Sequence, residues 1–225
     1  MSMLGLDSVA LSGLMMLASV ECTADIKPQI HIQPRTQDIQ YEFRYTSEEL
    51  TRLKASSMGA QALGADMVTG GLREDEPKIG VNVSWKVQEY THKDAACIWY
   101  DKIHVTIDLA PKIYIAKDFN YSPCRKEIIE HEKDHVRVDR KIFNKYSQKM
   151  ARSVENAVRK MNVNGPYRKD QIPMVQEKMA KYIQNSVMAQ VDGINKDMKV
   201  LQAKIDSPQE YARITKICHA AKHKR

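Results

Sequence analysis

The sequence predicts an α+β fold in which strands come first and helices follow. Two runs carry apolar residues at every second position: KIGVNVSWKVQ, with Ile79, Val81, Val83, Trp85 and Val87 in phase, and CIWYDKIHVTIDL, with Ile103, Val105, Ile107 and Leu109 in phase. That period places one face of a strand against a core. The composition then changes: from Ser122 to Asn162 there is no glycine, and the one proline, Pro123, directly follows Ser122. Strands followed by long helices build a small antiparallel sheet, then a long helix and an antiparallel helical hairpin.

The elements follow in order. QIHIQP alternates Ile30 and Ile32 with polar neighbours, and IQYEFRYT alternates Ile39, Tyr41, Phe43 and Tyr45, so both read as half-buried strands. Ser47, with Glu48 and Glu49 behind it, starts a short helix as its N-cap. SSMGAQALGADMVTGGLREDEP reads as a loop or lid because of its glycines, and it lacks a phosphate-loop signature. The two alternating runs pair as neighbouring antiparallel strands, with a bend or edge at Pro111, where the missing N–H interrupts the ladder. Ser122 and Pro123 form a helix start, an N-cap hydroxyl before a pre-set first turn, and NGP at Asn164 to Pro166 forms its stop. A second helical stretch runs from about Asp170 to Ile205, loosened at Gly193, and Ser207 caps a short final helix.

At 225 residues, with 43% hydrophobic and 28% charged residues, the chain is long enough for one well-cored domain, and wholesale disorder and a membrane bundle are excluded. The charge of +7 is read as a solvated helix face, because no finger or aromatic-interleaved basic motif accompanies it; no nucleic-acid partner is expected. Val9 to Val20 form an apolar run of signal-peptide length ahead of CTA, so residues 1–24 read as a leader and 25–225 as a single domain, mainly strands to residue 117 and mainly helices after it. The destination is secretion or a periplasm, with no stable membrane insertion after cleavage. Asp7, and the lack of Lys or Arg before the run, favour the other reading, a buried N-terminal helix. Cleavage after Ala24 leaves Cys97, Cys124 and Cys218. Cys97 with Cys124 is the expected disulfide, tying the strands to the main helix, with Cys124 and Cys218 as the rival pair.

The chemistry lies in EIIEHEKDHVRVD, residues 127–139. On a helix, residues four apart lie on one face about 6 Å apart along the axis, so His131 and His135 can reach one metal ion. Glu132 projects about 100° round the helix from His131, beside the metal rather than on it. Two neutral imidazoles and an adjacent carboxylate base are what zinc-assisted hydrolysis needs.

This H-E-x-x-H helix, preceded by paired strands, resembles the zincin metallopeptidases, and the stretch CIWYDKIHVTIDL to SPCRKEIIEHEKDH is similar to a poorly characterised family of secreted bacterial zinc-dependent proteases. The likeness covers roughly residues 76–140. It implies a zincin-like fold, Zn2+ held by His131 and His135, Glu132 as general base, and a peptide or protein substrate laid as an added strand along a sheet edge between Lys78 and Ile115. Metzincins place a third histidine six residues beyond the second, after a glycine turn, and HVRVDRKIF has neither. Glu155, at a gluzincin-like offset, is about 30 Å along an unbroken helix from His135. Asp139 shares the histidine face but is about 12 Å of rise from His131, which makes it a carboxylate that orients His135 or pairs with an arginine. A chain reversal near Gly165 sets residues 195–203 opposite the histidines. Asp197 is therefore the first candidate for third ligand, Asp192 and Asp206 stand at the margins, and Tyr211 is a candidate oxyanion donor. The competing expectation is a non-enzymatic envelope protein whose helical hairpin mediates contacts, with a structural metal or none.

Overall fold

The computed structural model describes residues 20–23, 27–58, 68–75, 77–119, 123–161 and 163–222. The leader expectation up to residue 19, Ala24 at its end, the middle of the glycine-containing loop and Ser122 lie outside them. The chain is a mixed α and β protein that divides into two compact units. Unit one holds the described residues up to Gln33, Gly80–Thr106 and Ser147–Val191, and unit two holds Pro34–Ile79, Ile107–Tyr146 and the described residues from Asp192.

Unit one holds most of a sheet of β1 (Gln29–Thr36), β4 (Lys78–Tyr90) and β5 (Ala95–Leu109) in the order β1-β5-β4, with β7 (Val163–Tyr167) also paired antiparallel to β5. In β4 the expected alternation holds over Lys78 to Val83. In β5 it holds from Ile103 to Leu109, whereas Ala95 to Tyr100 are buried one after another. The reason is that both faces are covered there. Ala95, Cys97 and Trp99 cluster with Val20, and Tyr100 on the other face donates its hydroxyl to the Met179 carbonyl at 3.0 Å. Helix α2 (Cys124–Met161) contributes Met150, Val154 and Val158 to this unit's core, and α3 (Ile172–Met188) contributes Val175, Met179, Ile183 and Val187 at the helical period. Ser153 donates to the Ser186 carbonyl at 2.9 Å, consistent with antiparallel packing of these two segments.

Unit two has its own sheet, β2-β6-β3, in which β2 (Gln40–Glu42) runs parallel to β6 (Lys112–Ile115) and β3 (Gly71–Glu74) antiparallel to it. Two sheets therefore replace the single antiparallel sheet expected from the sequence, and in the second of them β2 runs parallel to β6. Pro111 accounts for the division: it ends β5, accepts from Gln40 N–H at 3.0 Å through its carbonyl, and lets the chain restart as β6 in the other sheet. The IQYEFRYT run shortens to β2, and part of the expected loop is strand β3. Gly71 belongs in that strand because a Cβ there would stand 2.6 Å from Ile128 and 2.7 Å from a Glu132 carboxylate oxygen, so only glycine permits this approach to α2.

Helix α1 (Ser47–Met58) forms as expected, with its cap one residue earlier. Thr46 Oγ1 accepts from Glu49 N–H at 3.2 Å, and the Glu49 carboxylate accepts from Thr46 N–H at 2.6 Å, which is a capping box. The second helical stretch breaks at Ala189 and Gln190, giving α4 (Val191–Ile205) rather than a loosening at Gly193. Gly193 serves contact instead, since a Cβ there would stand 2.6 Å from the Tyr146 hydroxyl. Helix α5 (Pro208–Lys222) starts after Ser207, whose Oγ accepts from Glu210 N–H at 3.3 Å.

The disulfides are Cys22–Cys97 in unit one and Cys124–Cys218 in unit two, and the expected Cys97–Cys124 pair is not formed. The expectation failed because a cut after Ala24 removes Cys22 from consideration, whereas Cys22 is bonded and its neighbour Val20 is buried. Two bridges and, among the described residues, no free cysteine fit an oxidising compartment. Among the described residues no helix is long and apolar enough to cross a membrane.

Candidate metal centre

The site is built wholly within unit two. Ile128, Val136, Ile113, Ile115 and the Cys124–Cys218 bridge form the core under the first turns of α2. Burying that stripe turns His131, Glu132 and His135 inward, and each is only 6% exposed. Opposite them lies Asp206, in the turn between α4 and α5. Its Oδ1 lies 3.3 Å from His131 Nε2 and 3.1 Å from His135 Nε2, and the two nitrogens are 3.3 Å apart. The three form the metal-capable group among the described residues. Tetrahedral zinc with bonds of about 2.0–2.1 Å has ligand-to-ligand edges of about 3.3–3.4 Å, so this triangle fits such an ion with a fourth position left over.

The outward imidazole nitrogens are also provided for. His135 Nδ1 is hydrogen-bonded to the Gln202 amide oxygen, and the Gln202 amide nitrogen donates to the His135 carbonyl at 3.2 Å and to Asp139. His131 Nδ1 is buried, makes no hydrogen bond and faces a Glu210 carboxylate oxygen at 3.8 Å. An oxygen behind each Nδ1 favours the tautomer with its proton there, leaving Nε2 as the metal donor. Asp139, 0% exposed, bonds Arg73 on β3 as well as Gln202. It therefore supports His135 through Gln202 and pairs with an arginine, without touching the ring.

Electrostatics follow from burial. Desolvation pushes the Glu132 carboxyl above its usual range against the opposing pull of His135, His131 and Lys54. Burial acts to raise Asp206 as well, but hydrogen bonds with His131 and His135 prevail and hold it well below the carboxylate range. Burial acts to lower His135, and the contacts with Asp206 and Glu132 outweigh it and raise the imidazole. Tyr211, the candidate oxyanion donor, lies at the site: its hydroxyl donates to Asp206 Oδ1 at 2.7 Å and accepts from Lys54 Nζ at 3.2 Å, and burial first, then Asp206, raises it. A cavity of about 400 Å³ opens beside His131 and Glu132, bounded by Lys54, Phe119, Ile128 and Tyr211 among others. The strand against Glu132 is β3, upstream of the Lys78–Ile115 range expected for a substrate edge.

Asp197, the first candidate for third ligand, stands elsewhere. It accepts from Lys145 at 2.6 Å and from Tyr146 at 3.1 Å, further along α2. The shift has a simple cause: β7 and the turn at Lys169–Gln171 occupy the connection, so the chain reverses several residues later than Gly165 and brings Asp206 opposite His131. Gln202, Glu210, Arg73 and Lys54 escape sequence reading altogether. The spacing of Gln202, Asp206 and Glu210 at four residues is the one signal that could have found three of the site's residues together.

No family model matches the chain, and neither the curated proteins nor the solved structures give a match. The functional reading therefore rests on the motif and on this geometry.

Proposed function

We propose that the protein is a zinc-dependent peptidase of zincin type that works outside the cytoplasm. The observation that carries this is the triangle of His131 Nε2, His135 Nε2 and Asp206 Oδ1, with edges of 3.1–3.3 Å, beside the buried carboxylate of Glu132. Zinc held there would supply Lewis acidity and a water of pKa near 7. Glu132 takes the proton from the attacking water and passes it to the leaving amine, which suits a carboxyl whose burial keeps its proton affinity high. His131 and His135 would hold the ion through Nε2, with their Nδ1 protons directed away from it, and Asp206 would supply one negative charge. The outer edge of β3 would offer backbone groups to an extended peptide, since β3 ends the order β2-β6-β3 among the described residues and passes against Glu132 at Gly71. The two disulfides support a place in a secreted or periplasmic setting.

Glu132→Gln is the decisive variant. It should bind one zinc as the wild type does and hydrolyse casein at least about 100-fold more slowly. Unchanged hydrolysis would remove Glu132 from the mechanism. Zinc bound by a wild type that hydrolyses no peptide would favour the structural-metal reading of an envelope interaction protein.

A further inference from the structure

We infer that Lys54 is a catalytic residue of this site, the donor that meets the oxyanion of the substrate, and that Tyr211 instead holds the ligand Asp206. The inference rests on the peptidase reading above and assigns a residue to that chemistry.

Tyr211 has one hydroxyl proton, and it is directed at Asp206 Oδ1 at 2.7 Å. To stabilise an oxyanion it would have to abandon the carboxylate that completes the donor triangle. Its oxygen faces Lys54 Nζ at 3.2 Å, and the same ammonium lies 5.7 Å from the tyrosine ring centroid. Lys54 thus shares the cavity wall with His131, Glu132 and Tyr211, and its charge is felt at Glu132. A lysine ammonium carries three donors, of which the bond to Tyr211 uses one.

Its placement is built in. Leu50, 0% exposed, packs with Tyr114 and Ala116, and Lys54 follows it by one helical turn on the same face of α1. The helix is fixed at its start by the Thr46–Glu49 box and by Ser47 bonded to Asp118, and along its side by Thr69 N–H donating to Thr51 Oγ1 at 2.9 Å. A helix held this way sets the Lys54 side chain in the cavity wall before charge develops. As water adds to the peptide carbon, the C–O π pair moves onto oxygen, and Lys54 donates a hydrogen bond to it. The proton removed from the water travels by way of Glu132 to the nitrogen, the C–N bond breaks, and the carbonyl re-forms.

The test compares Lys54→Met, Lys54→Arg and Tyr211→Phe, each loaded with zinc. Three quantities are read: zinc affinity by chelator competition, acetohydroxamate affinity by calorimetry, and casein hydrolysis. Lys54→Met should keep zinc affinity within twofold, bind acetohydroxamate about tenfold more weakly and lose about 100-fold in kcat, with partial recovery in Lys54→Arg. Tyr211→Phe should weaken zinc about tenfold and lose less activity at saturating zinc. Wild-type-like hydroxamate binding and turnover in Lys54→Met would overturn the inference alone, and so would loss of zinc in that variant. Failure of the wild type to bind zinc would remove the underlying reading as well.

Discussion

Gln202→Leu tests whether the proposed zinc centre is held by the hydrogen bonds behind it. Gln202 accepts from His135 Nδ1–H and donates to the His135 carbonyl and to Asp139, so one substitution removes the anchor of one ligand and a partner of a fully buried carboxylate. Partners of metal-bound histidines are typically worth 10–100-fold in affinity, or about 1.4–2.7 kcal/mol. The Asp139 oxygen left without its amide costs the zinc-free protein a further amount of about 1–3 kcal/mol. Chelator competition should therefore show zinc bound at least about tenfold more weakly, and urea unfolding of the zinc-free protein should show the second loss. Gln202→Glu separates the effects: an acceptor for Nδ1 returns and zinc affinity recovers, while a second carboxylate beside Asp139 keeps stability low. Zinc affinity within twofold of wild type in Gln202→Leu would refute the reasoning.

Replacing Cys124 and Cys218 by serine opens a link between residues 94 apart, worth about 4–5 kcal/mol in the chain-entropy account, and it loosens α5, so both the denaturation midpoint and zinc affinity should fall. Asp75 is pushed up to about 6, first by burial and then by neighbouring Asp139, with Arg73 opposing. Folded Asp75 therefore keeps its proton where the unfolded residue has lost it, and its contribution to stability falls as pH rises from 3.8 to about 6. Asp75→Asn should be more stable than wild type by about 1–3 kcal/mol above that window and equal to it below, as read from unfolding curves across pH. A constant difference at every pH would contradict it.

Local pattern made the helix that carries the histidines, the strands β4 and β5 and the start of α1 legible, because each rests on periodicity or capping within a few residues. The lower half of β5 was not, since its continuous burial depends on Val20 on one face and the α3 contact through Tyr100 on the other, both remote in sequence. The same division runs through the site. His131, Glu132 and His135 are one turn of one helix and can be read together. Asp206 depends on where the chain reverses, and an extended segment of five residues at β7 was enough to move the opposing carboxylate from Asp197 to Asp206. Lys54 and Arg73 reach the site from α1 and β3, and no spacing rule links them to a motif more than fifty residues away.

The central claim is that His131, His135 and Asp206 hold one zinc ion. The most direct measurement is zinc content and X-ray absorption of the wild type beside Asp206→Asn and Asp197→Asn. One zinc per chain with two imidazole nitrogens and a carboxylate oxygen at about 2.0–2.2 Å, retained in Asp197→Asn and lost or severely weakened in Asp206→Asn, is the expected result. Zinc retained at full affinity in Asp206→Asn, or no zinc in the wild type, would contradict it.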